Sequence, residues 1–431
     1  MGAPSLTLQH DSDKAAGGDQ TRSGYALLTL AWYAFLALAI IAGLGAIFVR
    51  TRDGLAVTNL SSITPWGAWV AFYIYFVGLS AGAFLLSSLI FVFGMERYER
   101  LGRSALLTAI LSMVVALIFV LLDLGRMERN LNALIFFNPY SVLAWEIRFY
   151  VVYIALLLTE LWFSMRLDLV RESQGQGLPA RVARLLTFGR VDTTPEAERR
   201  DKAWLRLLGT IGVPIAIFGV HGGTGSIFAV TRAREFWHSP LFPVIFVVSA
   251  LVSGTALLTL IYILGSRLRR RPVDAAMVEG LGQLAGMFLL VDLGLEFYEF
   301  LVGAYDWSGA AREHLLSLFT GRLAWSFWGV QLFLGSLVPA VLLVHPRSRH
   351  SVRAIAWASA LIVVGVLAFR FNIVIPPLLV PVLEGLPRGD YAPTAVEWVS
   401  SLGVIALGML LYTTIASILP IDQQEQGGEA R

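Results

Sequence analysis

Ten long, predominantly apolar stretches recur along the chain, near residues 25–48, 66–94, 104–124, 140–166, 204–230, 241–264, 276–304, 322–344, 351–376 and 396–419. A helix needs about 20 such residues to cross the hydrocarbon core of a bilayer. The pattern therefore predicts an all-α integral membrane protein of about ten transmembrane helices. The longest polar connection, 167–203, contains RESQGQGLPARVARLLTFGRVDTTPEAERRDK, whose Pro, Gly and charge content suits a loop on the membrane surface.

A repeat lies inside this pattern. Span two carries GLSAGAFLL and span six LVSGTALL, span three ends in FVLLDLGR and span seven contains FLLVDLGL, and span four opens with LAWEIRFY and span eight with LAWSFWGV. From Ser80 to Asp123 is 43 residues and from Ser253 to Asp292 is 39, a difference that about one helical turn absorbs. Two four-helix bundles follow, and because each holds an even number of spans the copies form a parallel repeat. The expected organisation is a polar amino terminus (1–24), a peripheral helix and loop (25–60), a first bundle (61–235), a second bundle (236–380), and a last peripheral helix with its tail (381–431).

Charge gives the orientation. Of the 33 Lys and Arg residues, 22 fall in the termini and the even-numbered loops, 9 in the odd-numbered loops, and Arg148 and Arg370 within spans. Positive residues near spans stay on the cytoplasmic side, so both termini are expected there. The leading stretch MGAPSLTLQHDSDKAAGGDQTRSG has no apolar core and does not read as a cleavable signal, which leaves span one as the insertion signal.

Composition supports the bilayer as solvent: 56% of residues are apolar and 15% charged, with a mean hydropathy of +0.69. The chain has no cysteine, so it offers no ligand for an iron–sulfur cluster and no c-type haem attachment. Of six histidines only His221 sits deep in an apolar run, which leaves no pair for a bis-histidine haem between spans. No metal site and no nucleic-acid partner are expected.

Charged side chains at the bilayer centre cost about 2.5–3.5 kcal/mol on insertion scales, so they face protein and take partners. Asp123 and Arg126 stand at i, i+3 on the outer end of span three, spaced to pair on one helix face. A helix-end ion pair and a functional role both fit them. Trp145, Glu146 and Arg148 open span four after the turn FFNPYS and suggest a polar pocket. Glu146, Tyr153 and Glu160 follow at i, i+7, i+14 on nearly one face over roughly 20 Å, as a proton stripe or as hydrogen-bonded packing. Asp292, Glu296 and Glu299 share a face of span seven, with Arg370 of span nine as the expected counter-charge in an ion pair or a proton relay. His221 begins HGGTGSIFAV in span five, where glycines admit a close helix or a planar ligand, and a ligand contact is the favoured role. Trp66, Trp69 and Tyr73 start span two at an interfacial aromatic belt.

Taken together, TPWGAWVAFYIYFVGLSAGAFLL, LLDLGRMERNLNALIFFNPYSVLAWEIRFY and HGGTGSIFAV followed by FWHSPLFPVIFVVSALVSGTALL resemble the NrfD/polysulfide-reductase membrane-subunit family over roughly residues 60–380. The succession DLGR, FNP, WE is the most specific part. Two positions depart from the family pattern: Met127, where many relatives carry proline, and Tyr73, where polysulfide reductases have histidine.

The resemblance implies a quinone-binding anchor without haem or iron–sulfur cluster of its own. It would take menaquinone or ubiquinone from the quinone pool and work with an iron–sulfur (ferredoxin-like) subunit and a molybdopterin or cytochrome subunit, in a bacterial or archaeal cytoplasmic membrane. In that reading Asp123 and His221 exchange protons with the quinone, Trp66 and Trp145 wall the slot, Arg126 sets the local potential, and Tyr73 and Glu146 are further contacts. Glu160, Asp292, Glu296, Glu299 and Arg370 would carry protons. A stand-alone secondary transporter with parallel repeats, and an anchor without quinone chemistry, remain alternatives.

Overall fold

The computed structural model describes residues 7–305, 309–383 and 385–421. Ten long helices follow one another: α1 (Thr7–Asp53), α2 (Ala68–Phe91), α3 (Glu99–Asp123), α4 (Val142–Ser173), α5 (Pro195–Ala229), α6 (Phe242–Leu268), α7 (Ala275–Tyr305), α8 (Ser326–Val344), α9 (Val352–Leu379) and α10 (Ala395–Ile418). Among the described residues nine of these are long and apolar enough to cross a membrane, α1 from Thr29 onward. The tenth, α7, is a continuous helix of 31 residues, which at about 1.5 Å per residue also exceeds the hydrocarbon thickness. The protein is a multi-pass, all-α integral membrane protein.

Local sequence starts several helices by satisfying the first backbone N–H groups. Ser141 caps α4 through Ala144 N, and Thr194, followed by Pro195, caps α5 through Ala197 N. Ser351 does the same for α9, and Thr394 with Glu397 forms a reciprocal capping box at the start of α10. One boundary differs from expectation: α1 begins at Thr7, so much of the polar leader continues the first spanning helix backwards. A formed helix extends at little nucleation cost, and this leader holds no proline after Pro4. Residues 1–6 of the leader and 422–431 of the tail lie outside the described residues.

Packing around α2 organises the molecule. The apolar window of α2 is 83% buried, against 22% for α1 and for α10, which lean on each other and on α3 at the periphery. Helices α2 and α3 pair as α6 and α7 do, and α4 pairs with α5 as α8 does with α9. Helices four apart in the order, such as α2 and α6, run the same way, because direction alternates from one span to the next. At the centre α2 crosses α6 backbone to backbone: a Cβ on Gly82 would overlap Ala250 and Gly254, and one on Gly254 would overlap Gly82. Close approach of this kind drives helix association where lipid offers no hydrophobic contrast.

Candidate functional site

Near the amino-terminal ends of α2 and α4 and the carboxyl-terminal end of α5 the structure gathers a buried hydroxyl–carboxylate cluster. Glu146 Oε1 accepts from Tyr73 Oη at 2.9 Å, from Tyr150 Oη at 2.5 Å and from Thr224 Oγ1. The hydroxyls also contact one another, Tyr73 with Tyr150 at 2.8 Å and Tyr150 with Thr224 at 3.1 Å. Glu146 is 1% exposed, and its second oxygen has no partner among the described residues. Tyr150 stands one turn after Glu146 on α4, whereas Tyr73 on α2 and Thr224 in the HGGTG segment of α5 are brought to it from other helices.

His221 sits one turn before Thr224 on α5, fully buried. Its Nε2 lies 3.2 Å from Arg370 Nη2, and Arg370 also donates to Ser249 Oγ on α6. The guanidinium stacks 4.3 Å over Phe246, and the His221 ring packs on the same phenyl at 5.3 Å. Gly78 on α2 makes the meeting possible, since a Cβ there would stand 3.1 Å from the imidazole. The helix around His221 is widened into a π-turn over Ile215–His221, directly after Pro214. Such π-bulges arise where the regular ladder is broken and often carry functional groups.

Arg370 thus joins the two sets of helices, with Asp292 and Glu296 of α7 as counter-charges in its field rather than as direct hydrogen-bond partners. Among the described residues no hydrogen bond or ion pair connects it to Asp292, Glu296 or Glu299, and Asp292 and Glu296 reach it only through their longer-range field. Asp292 and Glu296 are buried; Glu296 Oε2 accepts from Gln331 Nε2 at 3.1 Å, and Gln331 Oε1 accepts from Asn372 Nδ2 at 2.8 Å. Gln331 lies on a second π-helical stretch, Ser326–Leu337. Glu299 is partly buried and accepts from Ser239 Oγ at 2.6 Å.

The stripe on α4 is real in placement but not continuous in bonding. Tyr153 donates to the Ser80 carbonyl at 3.1 Å, whereas both oxygens of fully buried Glu160 lack a partner among the described residues.

Asp123 lies elsewhere, and its expected pairing with Arg126 does not form. Helix α3 ends at Asp123 and the chain turns into extended backbone at Arg126, so the helical i, i+3 geometry is lost and Arg126 is exposed. Buried Arg50 of α1 wraps this end of α3 instead, donating to Leu122 O at 3.0 Å and to Leu124 O. Beside it are Trp69, bonded to Ser400 at 3.1 Å, and buried Glu397, which accepts from Tyr391. Burial and the neighbouring Glu397 hold the Tyr391 phenol, in the loop before α10, above its ordinary range. Among the described residues no hydrogen bond joins Asp123 to Tyr73, Glu146 or His221.

The two expected walls separate as well. Trp66 packs on Phe228 and Trp237, with centroids 5.7 and 5.6 Å away, next to the cluster. Trp145 is 46% exposed, bonded to Pro139 O and edge-on to Phe137, because it points about 100° away from Glu146 around α4. Thr224, Tyr150, Ser249, Gln331 and Arg50 escaped sequence reading; only Tyr150, at i+4 from Glu146, left a positional signal.

Comparison with known proteins identifies the scaffold: the family described as polysulphide reductase, NrfD matches residues 56–382. The chain belongs to the NrfD family. A selenate reductase subunit of Mesobacillus selenatarsenatis is 35% identical over 414 residues, 93% of this chain and 96% of that protein. The integral membrane subunit of the menaquinone reductase of Nitratidesulfovibrio vulgaris is 25% identical over 91% of this chain and 92% of its own length. A polysulfide reductase chain of Wolinella succinogenes is 27% identical over 72% of this chain and 92% of its own. The matched span of this NrfD protein holds α2 to α9, and with them the Glu146 cluster, His221 and Arg370.

Proposed function

We propose that this NrfD protein is the membrane anchor and quinone-binding subunit of a multi-subunit respiratory oxidoreductase, with its quinone slot at the outer ends of α2, α4 and α5. Glu146 carries the reading: a buried carboxyl that gathers three hydroxyls on one oxygen and keeps the other unpartnered beside apolar and aromatic walls. Relatives named as menaquinone and polysulfide reductase subunits support it. Menaquinone or ubiquinone, as substrate, supplies two-electron chemistry coupled to two protons and needs polar contacts at two ring oxygens within an apolar slot.

Glu146 Oε2, buried and without a partner among the described residues, suits one of those contacts, and the buried imidazole of His221, one turn before Thr224, suits the other. Trp66, with Phe228 and Trp237, supplies a flat wall. Tyr73 takes the place of a histidine by giving a hydroxyl that orients Glu146. Glu146 holds or releases a proton at Oε2, and Arg370 fixes the His221 ring. Glu160, Asp292, Glu296 and Glu299 are the groups available to move protons farther, with Arg370 near two of them; the matching static reading is a packed polar network.

With no cysteine in this chain, an iron–sulfur subunit of ferredoxin type is the expected electron partner, and a molybdopterin or cytochrome subunit the expected third component. The excess of Lys and Arg in the even loops supports cytoplasmic termini. Affinity purification from the native membrane followed by mass spectrometry tests the assembly: a cysteine-rich iron–sulfur protein should co-purify. In that complex His221→Ala should lower quinol turnover severely. A chain that purifies alone and catalyses transport without an electron acceptor refutes the proposal and favours the transporter.

A further inference from the structure

About 17 residues along α2 from Tyr73, at the other end of the helix, a cavity of about 1120 Å³ opens among the ends of α2, α3, α4, α5 and α10 and the turn after α6. Its lining is amphipathic. Ile90, Phe91, Phe163, Leu205 and Leu419 supply apolar wall, and Arg103, Arg171, Lys202, Arg206, Arg269 and Arg271 supply positive charge.

Most acids in the lining are already engaged. Asp168 is held by Arg103 at 2.6 Å and by Arg171 at 3.2 Å, Glu198 by Lys202 at 2.8 Å, and Asp201 by buried Arg166 at 2.5 Å. Arg206 and Arg271 are exposed and pair with no carboxylate among the described residues. Burial, with the like charge of Arg271 beside it, lowers the Arg269 guanidinium from its ordinary value.

The surroundings set the depth. The short helix Leu178–Leu186, whose Pro179 lines the cavity, buries Ala180 and Ala183 and is tied down by Trp162 Nε1 on Leu186 O at 2.7 Å. Its Leu178 and Leu185, with Phe188 just beyond, are exposed beside Arg181 and Arg184. Exposed apolar residues among arginines on a short surface helix are the pattern of an element lying in the headgroup layer.

We propose that the cavity binds one anionic phospholipid, with its phosphate held by Arg206 and Arg271 and its acyl chains along Phe91, Phe163 and Leu205. Guanidinium groups match phosphate with paired, charge-assisted hydrogen bonds, and basic pockets between spanning helices are suited to anionic headgroups. Because α10 and the turn after α6 share the lining with α2 to α5, the lipid ties both sets of helices together at this end. The site stands independently of the quinone reading.

Native mass spectrometry of the full-length protein in detergent, with dioleoylphosphatidylglycerol added, tests it. One retained lipid per chain is expected, with retention falling roughly tenfold in each of Arg206→Gln and Arg271→Gln and further in the double variant. Dioleoylphosphatidylcholine at equal concentration should bind at least about tenfold more weakly. Inorganic phosphate should fail to displace the glycerophospholipid. The single variants carry the test if the double variant does not fold, and thermal unfolding reports their integrity. Equal retention of both lipids, or unchanged retention in both single variants, overturns the proposal; displacement by inorganic phosphate makes the site one for free anions and overturns it too.

Discussion

Replacing Glu146 by glutamine separates what this side chain does chemically from what it does structurally. The amide keeps the size of the carboxyl and an oxygen to accept from Tyr73, Tyr150 and Thr224, so the fold around it should persist. What disappears is the exchangeable proton. Loss of a positioned acid–base group lowers a rate by about 10²–10⁴, or roughly 2.7–5.5 kcal/mol of barrier. Glu146→Ala differs in kind, because it strands buried hydroxyls that each cost about 1–3 kcal/mol when unpaired. Tyr73 and Tyr150 remain 2.8 Å apart, and Tyr150 and Thr224 3.1 Å, so the hydroxyls re-pair in part and the total should stay near about 1–3 kcal/mol. The assay is steady-state oxidation of a soluble quinol by the purified complex, alongside thermal unfolding in detergent. The expected pattern is a Gln variant that is stable and slow, and an Ala variant that is slow and also less stable. A Gln variant with turnover within about threefold of the parent would show that no proton passes through Glu146, and the quinone slot would have to be sought elsewhere.

Four further outcomes follow from the geometry. Asp292→Asn or Glu296→Gln should lower the protons released per quinol in reconstituted vesicles at unchanged electron transfer if the α7 acids carry protons; an unchanged ratio in both makes them structural. Gly82→Val should destabilise the central crossing by about 1–3 kcal/mol or more, read as a lower unfolding temperature, because the added side chain meets the α6 backbone. Arg166→Gln should be strongly destabilising, about 3–5 kcal/mol, since it leaves Asp201 buried without its partner, whereas Arg52→Gln, at the exposed pair with Asp53, should not move the unfolding temperature measurably. The absence of native cysteine permits single-cysteine labelling with an impermeant maleimide: Gln174→Cys should react only from the cytoplasmic side and Asn59→Cys only from the outside, and the reverse would invert the orientation.

The order and number of the long helices were legible in the sequence because a bilayer imposes one dominant rule, a long apolar run per crossing, that each segment obeys independently of the others. For the same reason the matched fragments of spans two and six, three and seven, and four and eight were visible, as was the presence of His221, Glu146, Asp292 and Arg370 in an environment that tolerates few such groups. Partnership was another matter. Asp123 and Arg126 had the spacing of a pair, but the helix ends at Asp123, and Arg50, more than seventy residues earlier, binds the Leu122 and Leu124 carbonyls at that end instead. Charge placed Arg370 with the acids of α7, and the fields of Asp292 and Glu296 do reach it, but its direct contacts are with His221 and Ser249, which only the helix crossings bring within reach. Likewise Tyr73 and Thr224 reach Glu146 only because α2, α4 and α5 converge there. The sequence by itself determined which side chains need a protein interior, since burial cost is a property of each residue. The tertiary structure decided which of them meet, because hydrogen bonds act over about 3 Å and that distance is set by helix crossings and small residues far apart along the polypeptide.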